Sequence, residues 1–157
     1  MNHDHHVHEV NPFYVQALAE HRELHAAIEQ IRRLLDSGLS GADVGQRAVN
    51  AAHAVLNLRD QLQRHFDQEE GGGYLEEAVT RLPQIAPQAT ILQRQHHEFL
   101  DLANAMLAAA ETGDSATSVL LKLKTDFESF AKRLEAHEAA ENKLLERAFN
   151  EDPGLVP

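Results

Sequence analysis

The sequence predicts an all-α protein: an antiparallel up-down-up-down four-helix bundle with a short extra helix between the second and third long helices. Four stretches of roughly 25–35 residues repeat apolar side chains every three or four positions, as one face of a helix requires. Short breaks with glycine, proline or serine separate these stretches, which argues against one long coiled coil. No segment reads as a convincing β-strand.

The first two long helices end at breaks that contain glycine. The first covers about residues 11–35; it opens with asparagine at the N-cap and proline at the first helical position, and it ends at 36–38. The second starts near Ser40 and covers about 40–70, because the three glycines at 71–73 disfavour continuation.

The remaining elements follow from proline, glycine and serine. Residues 74–82 form the short extra helix, and Pro83 and Pro87 frame a loop. The third long helix covers about 87–110, and the fourth runs from an N-cap at Ser115 to about 149.

The chain is therefore one domain with two tails. Residues 11–150 form the bundle, residues 1–10 a flexible tail and residues 151–157 a C-terminal tail. The N-terminal tail is rich in histidine: His3, His5, His6 and His8.

The composition of the 157 residues excludes several functions. There is no cysteine, so disulfides, cysteine-ligated metals and thiol catalysis are excluded. A net charge of −11 disfavours binding to nucleic acid or to an anionic membrane. No signal peptide and no apolar run of about 18 residues is visible, which predicts a cytoplasmic location. The unusual number is 11 histidines, the common nitrogen ligands of transition metals.

A histidine and a carboxylate that stands four residues later lie on the same face of a helix. This spacing alone is weak evidence, because five pairs have it: His5–Glu9, His25–Glu29, His65–Glu69, His97–Asp101 and His137–Glu141. The apolar stripe is the second criterion. It places one histidine of each long helix and two glutamates on the buried faces, namely His21, His65, His96, His137, Glu69 and Glu141. In an antiparallel bundle these histidines lie at roughly similar heights.

Carboxylates in an apolar core are costly unless they are paired or coordinated. A hydrogen-bonded polar network is one explanation, and a metal centre is the favoured one. Histidine and carboxylate suit iron, manganese or zinc. The Glu-x-x-His pattern of ferritin-like di-iron bundles is absent, since Leu18, Leu62, Gln93 and Leu134 stand three residues before the four histidines.

These residues resemble the hemerythrin-like, or HHE cation-binding, domain family over about residues 12–149. The matching segments are 20–24, 65–70, 95–99 and 137–141, and their order H…HxxxE…H…HxxxE is specific. The first two long helices also resemble the last two as a pseudo-repeat.

The resemblance implies a non-haem di-iron centre. His21 and His65 would bind one iron and His96 and His137 the other, and an oxo or hydroxo group together with Glu69 and Glu141 would bridge the two ions. Relatives carry or sense oxygen, or act on peroxide or nitric oxide.

The chain departs from oxygen-carrying hemerythrin, which has a second histidine where Leu100 stands and ends with a histidine and a more distant aspartate where this chain has His137 and Glu141. Both departures indicate the broader HHE branch. His25 is a possible additional ligand or a flanking group, and Glu70 is expected to support the site rather than ligate.

Three functions stay open: a di-iron protein that binds or senses dioxygen, peroxide or nitric oxide; an enzyme that turns over peroxide or nitric oxide; and a zinc-bearing or metal-free interaction module. For the enzyme, Tyr14 and Tyr74 are candidate proton donors. No protein partner is predicted.

Overall fold

The computed structural model describes residues 11–36 and 43–150, which are almost entirely helical and contain no strand. The all-α prediction is confirmed. The helices are α1 (Pro12–Asp36), α2 (Val44–Glu70), α3 (Tyr74–Arg81), α4 (Ala86–Thr112) and α5 (Ala116–Asn150), with a 3-10 turn at Pro83–Ile85. Within these described ranges, no helix is both long enough and apolar enough to cross a membrane.

The predicted N-caps of the first and last helices are present. The Asn11 side chain accepts a hydrogen bond from the backbone N–H of Phe13 at 2.8 Å. The Ser115 hydroxyl accepts one from the backbone N–H of Ser118 at 3.1 Å. Each bond satisfies a donor that the first turn of a helix leaves without a helical partner.

Two predicted boundaries are wrong. Pro83 and Pro87 do not frame a loop: both stand at the start of a helical segment, and the 3-10 turn leads directly into α4. Proline is tolerated there because its missing N–H would have no helical partner. The second long helix begins at Val44 rather than near Ser40, which lies outside the described residues. The carbonyl of Asp43 accepts the first helical hydrogen bond, from Arg47, at 2.9 Å.

The four long helices surround one interior. α1 and α4 each pack against both α2 and α5, and α3 covers one end through contacts with α5, α2 and α1. The apolar interior consists of two clusters. The larger includes Leu24, Leu62, Phe99 and Leu134, and the smaller includes Ala17, Tyr74, Leu92 and Leu144. On α1, α4 and α5 the buried histidine lies between a residue of one cluster and a residue of the other. A polar layer therefore separates the two clusters.

The turn between α2 and α3 depends on glycine. Gly72 has φ +90°, a conformation that side chains disfavour. A Cβ atom on Gly73 would lie 2.1 Å from the backbone oxygen of Gln68. This close approach lets the chain turn at once, so that Tyr74 begins α3 with its side chain buried.

Gly73→Ala is expected to destabilise the chain by about 1–3 kcal/mol, because the added methyl group forces the turn to open. Gly45→Ala is the matched control: a Cβ there meets nothing within 4 Å, and alanine lowers the entropy of the unfolded chain. We expect Gly45→Ala to be neutral or stabilising by about 0.5–1 kcal/mol. Urea unfolding of both variants measures the difference. Equal midpoints would show that the turn tolerates a side chain.

Candidate metal centre

Each of the four long helices places one histidine in the polar layer. All four are buried, with exposed fractions between 1% and 6%: His21, His65, His96 and His137. α2 and α5 each add a glutamate that is completely buried, Glu69 and Glu141. The structure therefore brings together the six residues that the apolar stripes predicted to face inward.

Glu69 lies between histidines of two different helices. One carboxylate oxygen is 2.5 Å from Nε2 of His65, and the other is 3.0 Å from Nε2 of His96. His65 is one turn earlier on the same helix, whereas His96 belongs to α4. The two oxygens thus face two different imidazoles.

Glu141 repeats this arrangement from the opposite direction. Its Oε1 is 3.0 Å from Nε2 of His21, and its Oε2 is 3.3 Å from Nε2 of His137. The layer therefore divides into two half-sites, each with two imidazole nitrogens and one oxygen from each carboxylate. We call them the His21/His65 half and the His96/His137 half.

The spacing of these atoms is compatible with metal ions. The ligand atoms of His21, His65, Glu69 and Glu141 lie within 4.8 Å of one another. The same holds for His96 and His137 with Glu141.

Unpaired atoms at the His96/His137 half give an independent test of this fit. Four buried atoms there lie in two close pairs, Glu69 Oε2 with His96 Nε2 and Glu141 Oε2 with His137 Nε2, but their directions do not form a hydrogen bond, and none of the four has another partner. Unpaired buried polar atoms cost free energy, and each one requires an explanation. Carboxylate oxygen and imidazole nitrogen together are the donor set of a borderline transition metal. The residues present therefore fit a bound cation.

Each histidine is held at its other nitrogen, Nδ1, by a polar side chain. Two are held by carboxylates: His65 by Glu20 at 2.8 Å, and His96 by Glu70 at 3.2 Å. Two are held by amides: His21 by Asn142 at 2.6 Å, and His137 by Gln95 at 2.7 Å. A hydrogen bond at Nδ1 fixes the ring and presents the Nε2 lone pair to a metal. Each half-site has one carboxylate-held and one amide-held histidine.

Each of these Nδ1 partners stands next to one of the six buried residues in the sequence but holds a histidine of a different helix. Glu20 and Gln95 directly precede His21 and His96, while Glu70 and Asn142 directly follow Glu69 and Glu141. A neighbour in sequence points about 100° away on a helix, so each partner holds a histidine of another helix. The supporting role expected for Glu70 agrees with its contact to His96. The other three partners were missed.

Tyr74 distinguishes the His21/His65 half from the other half. Its hydroxyl donates a hydrogen bond to Glu69 Oε1 and lies 3.0 Å from Nε2 of His65. The ring is 1% exposed. Burial and the charges of Glu141 and Glu69 raise the pKa of the Tyr74 phenol, so it stays protonated and can donate a hydrogen bond. The other candidate proton donor, Tyr14, packs on Phe149 instead.

Buried carboxylates control the protonation of the histidines in the metal-free chain. Burial lowers the pKa of His65, but its hydrogen bonds to Glu20 and Glu69 outweigh burial and raise the pKa to about 10. At His21, burial also lowers the pKa, but the hydrogen bond to Glu141 outweighs burial, so the pKa of His21 is raised. For Glu141, burial raises the pKa, but its close contact with His137 and its hydrogen bond to His21 outweigh burial and lower the pKa well below its ordinary value.

Glu138 is a buried acid that the sequence did not single out. It is 8% exposed, its Oε1 has no hydrogen-bond partner, and it lines a surface cavity with His21 and His25. Burial raises its pKa to about 7, against the attraction of His21 and His65. In the sequence, the only indication of Glu138 was its position directly after His137.

The three other histidines that the structure describes lie outside the buried layer. His25 is exposed, and its nearest potential ligand partners are Glu29 and Glu135. His53 and His97 are also exposed. Leu100, which stands where oxygen carriers have a histidine, packs against the larger apolar cluster. The histidines of the N-terminal tail, together with residues 151–157, lie outside the described residues.

Glu20→Gln is expected to lower metal affinity by about 10–100-fold, because a neutral amide makes His65 a weaker base than a carboxylate does. Competition with a chromophoric chelator measures the change. Glu23→Gln, an exposed acid on the same helix, is the matched control and should leave affinity unchanged. Equal affinities in both variants would mean that the Glu20 hydrogen bond contributes nothing to metal binding.

Comparison with known proteins agrees with this geometry. The family model of the hemerythrin HHE cation-binding domain matches residues 13–149, which include all six buried histidine and glutamate residues. No curated protein and no solved structure matches the chain.

Proposed function

The chain belongs to the hemerythrin HHE cation-binding domain family, and on this basis we propose that its buried layer holds a non-haem di-iron centre that binds or senses dioxygen, peroxide or nitric oxide. In this proposal His21 and His65 ligate one iron, and His96 and His137 ligate the other. Glu69 and Glu141 bridge them, with an oxo or hydroxo group. The main support for this proposal is that each of these carboxylates contacts one histidine in each half-site. The bound irons would supply open coordination positions for the small ligand.

The charges around the layer support two divalent cations. Glu69 and Glu141 lie within it, and Glu20 and Glu70 hold the Nδ1 atoms of two of its histidines. These four carboxylates balance the four positive charges of two divalent ions. With a single divalent cation, a proton on a histidine of the empty half-site would have to compensate the completely buried Glu69 and Glu141, because uncompensated charge is costly in a low-dielectric interior.

We also propose the antiparallel up-down-up-down arrangement, with α3 as the extra helix. It is supported by the order of contacts between helices. Along α1, His21 contacts Asn142 while Arg32 contacts Glu128, so sequence number rises on one helix as it falls on the other. A layer of ligands from all four long helices requires matched heights of this kind.

Metal analysis with absorption spectroscopy tests the proposal. The iron-loaded chain is expected to hold about two irons and to show near-ultraviolet charge-transfer absorption that dithionite removes. A chain that is colourless and takes up zinc in preference to iron would support the zinc-bearing module instead. A chain whose melting temperature does not change with any metal would support the metal-free module.

A second candidate function, turnover of peroxide or nitric oxide, is favoured by the position of Tyr74. Its protonated hydroxyl lies beside the His21/His65 half, where a reacting ligand would need a proton. Tyr74→Phe is expected to lower turnover by about 10²–10⁴-fold while iron content stays at two per chain. Tyr14→Phe is the control. Equal turnover in both variants would exclude Tyr74 as the donor.

A further inference from the structure

A surface cavity of about 450 Å³ between α1 and α5 reaches the buried layer, and we call it the α1/α5 cavity. Its lining runs from exposed residues such as His25 to two buried ones, His21 and Glu138. Asn142, which holds the Nδ1 atom of His21, also lines it. A metal centre enclosed by four helices needs a path by which the ion enters. The α1/α5 cavity leads from solvent to a proposed ligand of the His21/His65 half.

Glu138 is the residue of this cavity that the metal centre does not account for. It is 8% exposed, and its Oε1 has no hydrogen-bond partner among the residues that the structure describes. A buried carboxylate oxygen without a partner costs free energy and requires an explanation. The charge of Glu138 attracts His21 and His65, so its carboxylate lies close to the half-site that the cavity reaches. A cation on its way to this half-site would compensate that charge.

Glu138 is also the middle member of a series of three glutamates on α5. Glu135, Glu138 and Glu141 stand three residues apart, so successive side chains are neighbours on the helix and each step rises about 4.5 Å. Burial increases along the series: Glu135 is half-buried, Glu138 is 8% exposed and Glu141 is completely buried. Glu135 lines the cavity near the exposed His25, and Glu141 is the proposed bridge between the irons. The series therefore leads from the mouth of the cavity to the centre.

The mouth of the α1/α5 cavity carries more acidic than basic groups. Arg32 is shared by three carboxylates: Glu29, Glu128 and Glu135. The ligand atoms of His25, Glu29 and Glu135 lie within 4.8 Å of one another. Arg22 also lines the cavity and opposes a cation, but it is exposed, so water and salt screen its charge. An acidic cleft raises the local concentration of cations and the rate at which they enter.

Another cavity, between α4 and α5, reaches the layer at His137 but suits a cation less. Its lining is mainly apolar and includes Ile91, Leu92, Phe99 and Leu144. Its carboxylate, Glu98, already pairs with Arg133 at 3.4 Å. A hydrated ion that loses water along an apolar wall gains no ligand in exchange, which is costly. The α1/α5 cavity is therefore the better route for a divalent ion.

We propose that the α1/α5 cavity is the route by which ferrous iron enters the centre, with Glu138 as a transient ligand between Glu135 at the mouth and Glu141 in the layer. This inference rests on the proposed di-iron function. Because Glu138 hands the ion on to the centre, it controls how fast the chain is loaded and leaves the final iron content unchanged.

Anaerobic uptake of ferrous iron by the full metal-free chain tests the route. A chromophoric ferrous chelator, added at successive times after mixing, captures the iron that is still free and so counts bound iron against time. Glu138→Gln should slow uptake by about tenfold or more, because an amide of the same shape offers the ion no negative charge. Its final content should remain at two irons per chain. Glu146→Gln, at an exposed acid of α5 outside the cavity, is the matched control and should load at the rate of the unsubstituted chain.

Ala139→Phe provides a second, steric variant. Ala139 is exposed and lines the α1/α5 cavity, so a phenyl ring narrows the mouth without entering the core and should slow uptake to a similar extent. Ala136→Phe is its control, because Ala136 is an exposed alanine of α5 that lines the cavity between α4 and α5 instead.

Three results would overturn the route while the di-iron function stands. The first is uptake of two irons by Glu138→Gln as fast as by Glu146→Gln. The second is slower uptake in Ala136→Phe than in Ala139→Phe. The third is a Glu138→Gln chain that ends with fewer than two irons, since Glu138 would then be a ligand of the loaded centre. An unsubstituted chain that takes up no iron would overturn the proposed function and the route together.

Discussion

Glu141→Ala is expected to remove iron from both half-sites, so that iron content falls from about two per chain to none retained after gel filtration. The carboxylate offers one oxygen beside His21 and the other beside His137, so its loss leaves each half-site without a ligand. Loss of an outer hydrogen-bond partner already costs about 10–100-fold in metal affinity, and loss of a shared ligand should cost more than about 100-fold.

Glu146→Ala is the matched control, since Glu146 is an exposed acid on the same helix. It should retain both irons and the near-ultraviolet absorption. Circular dichroism of both variants checks that the helices remain. If Glu141→Ala also retained two irons with an unchanged spectrum, Glu141 would not bridge the ions and the assignment of the two half-sites would be wrong.

Iron loading is expected to raise the melting temperature by about 5–15 °C. A ligand at about 100 to 1,000 times its Kd stabilises the folded state by about 3–4 kcal/mol, and each kcal/mol is worth about 2–4 °C for a domain of this size. Iron would replace the protons that now compensate Glu69 and Glu141, and it would satisfy the four unpaired atoms of the His96/His137 half. Anaerobic calorimetry with and without ferrous iron measures the difference.

This stabilisation should grow as the pH rises from 6.5 to 8.5. The pKa of His65 in the metal-free chain is raised from 6.5 to about 10, so its contribution to stability is complete below pH 6.5 and is lost as the pH rises through 10. The metal needs neutral imidazole, so protons compete with iron less at higher pH. His25→Ala is the control for an exposed histidine. A stabilisation that did not change with pH would show that iron displaces no proton from His65, and a smaller one in His25→Ala would make His25 a ligand.

The buried face of each helix was predictable because an apolar stripe repeats every 3.6 residues. That period placed His65 and Glu69, one turn apart, on the same face, and both are buried. The stripe also separated His96 from its neighbour His97, which is exposed. Element ends were less predictable, because proline is accepted both in loops and in first helical turns, as Pro83 and Pro87 show.

The sequence by itself determined that the protein is all-α, which face of each helix is buried, and that histidine and glutamate lie on those faces, because these properties depend on the periodicity of one helix at a time. Only the tertiary structure decided that Glu20 holds His65, that Gln95 holds His137, and that Tyr74 points at Glu69. The first two contacts join different helices, and the third depends on the glycine turn between α2 and α3. Their formation depends on rotation, height and turn geometry that the pattern of a single helix does not specify.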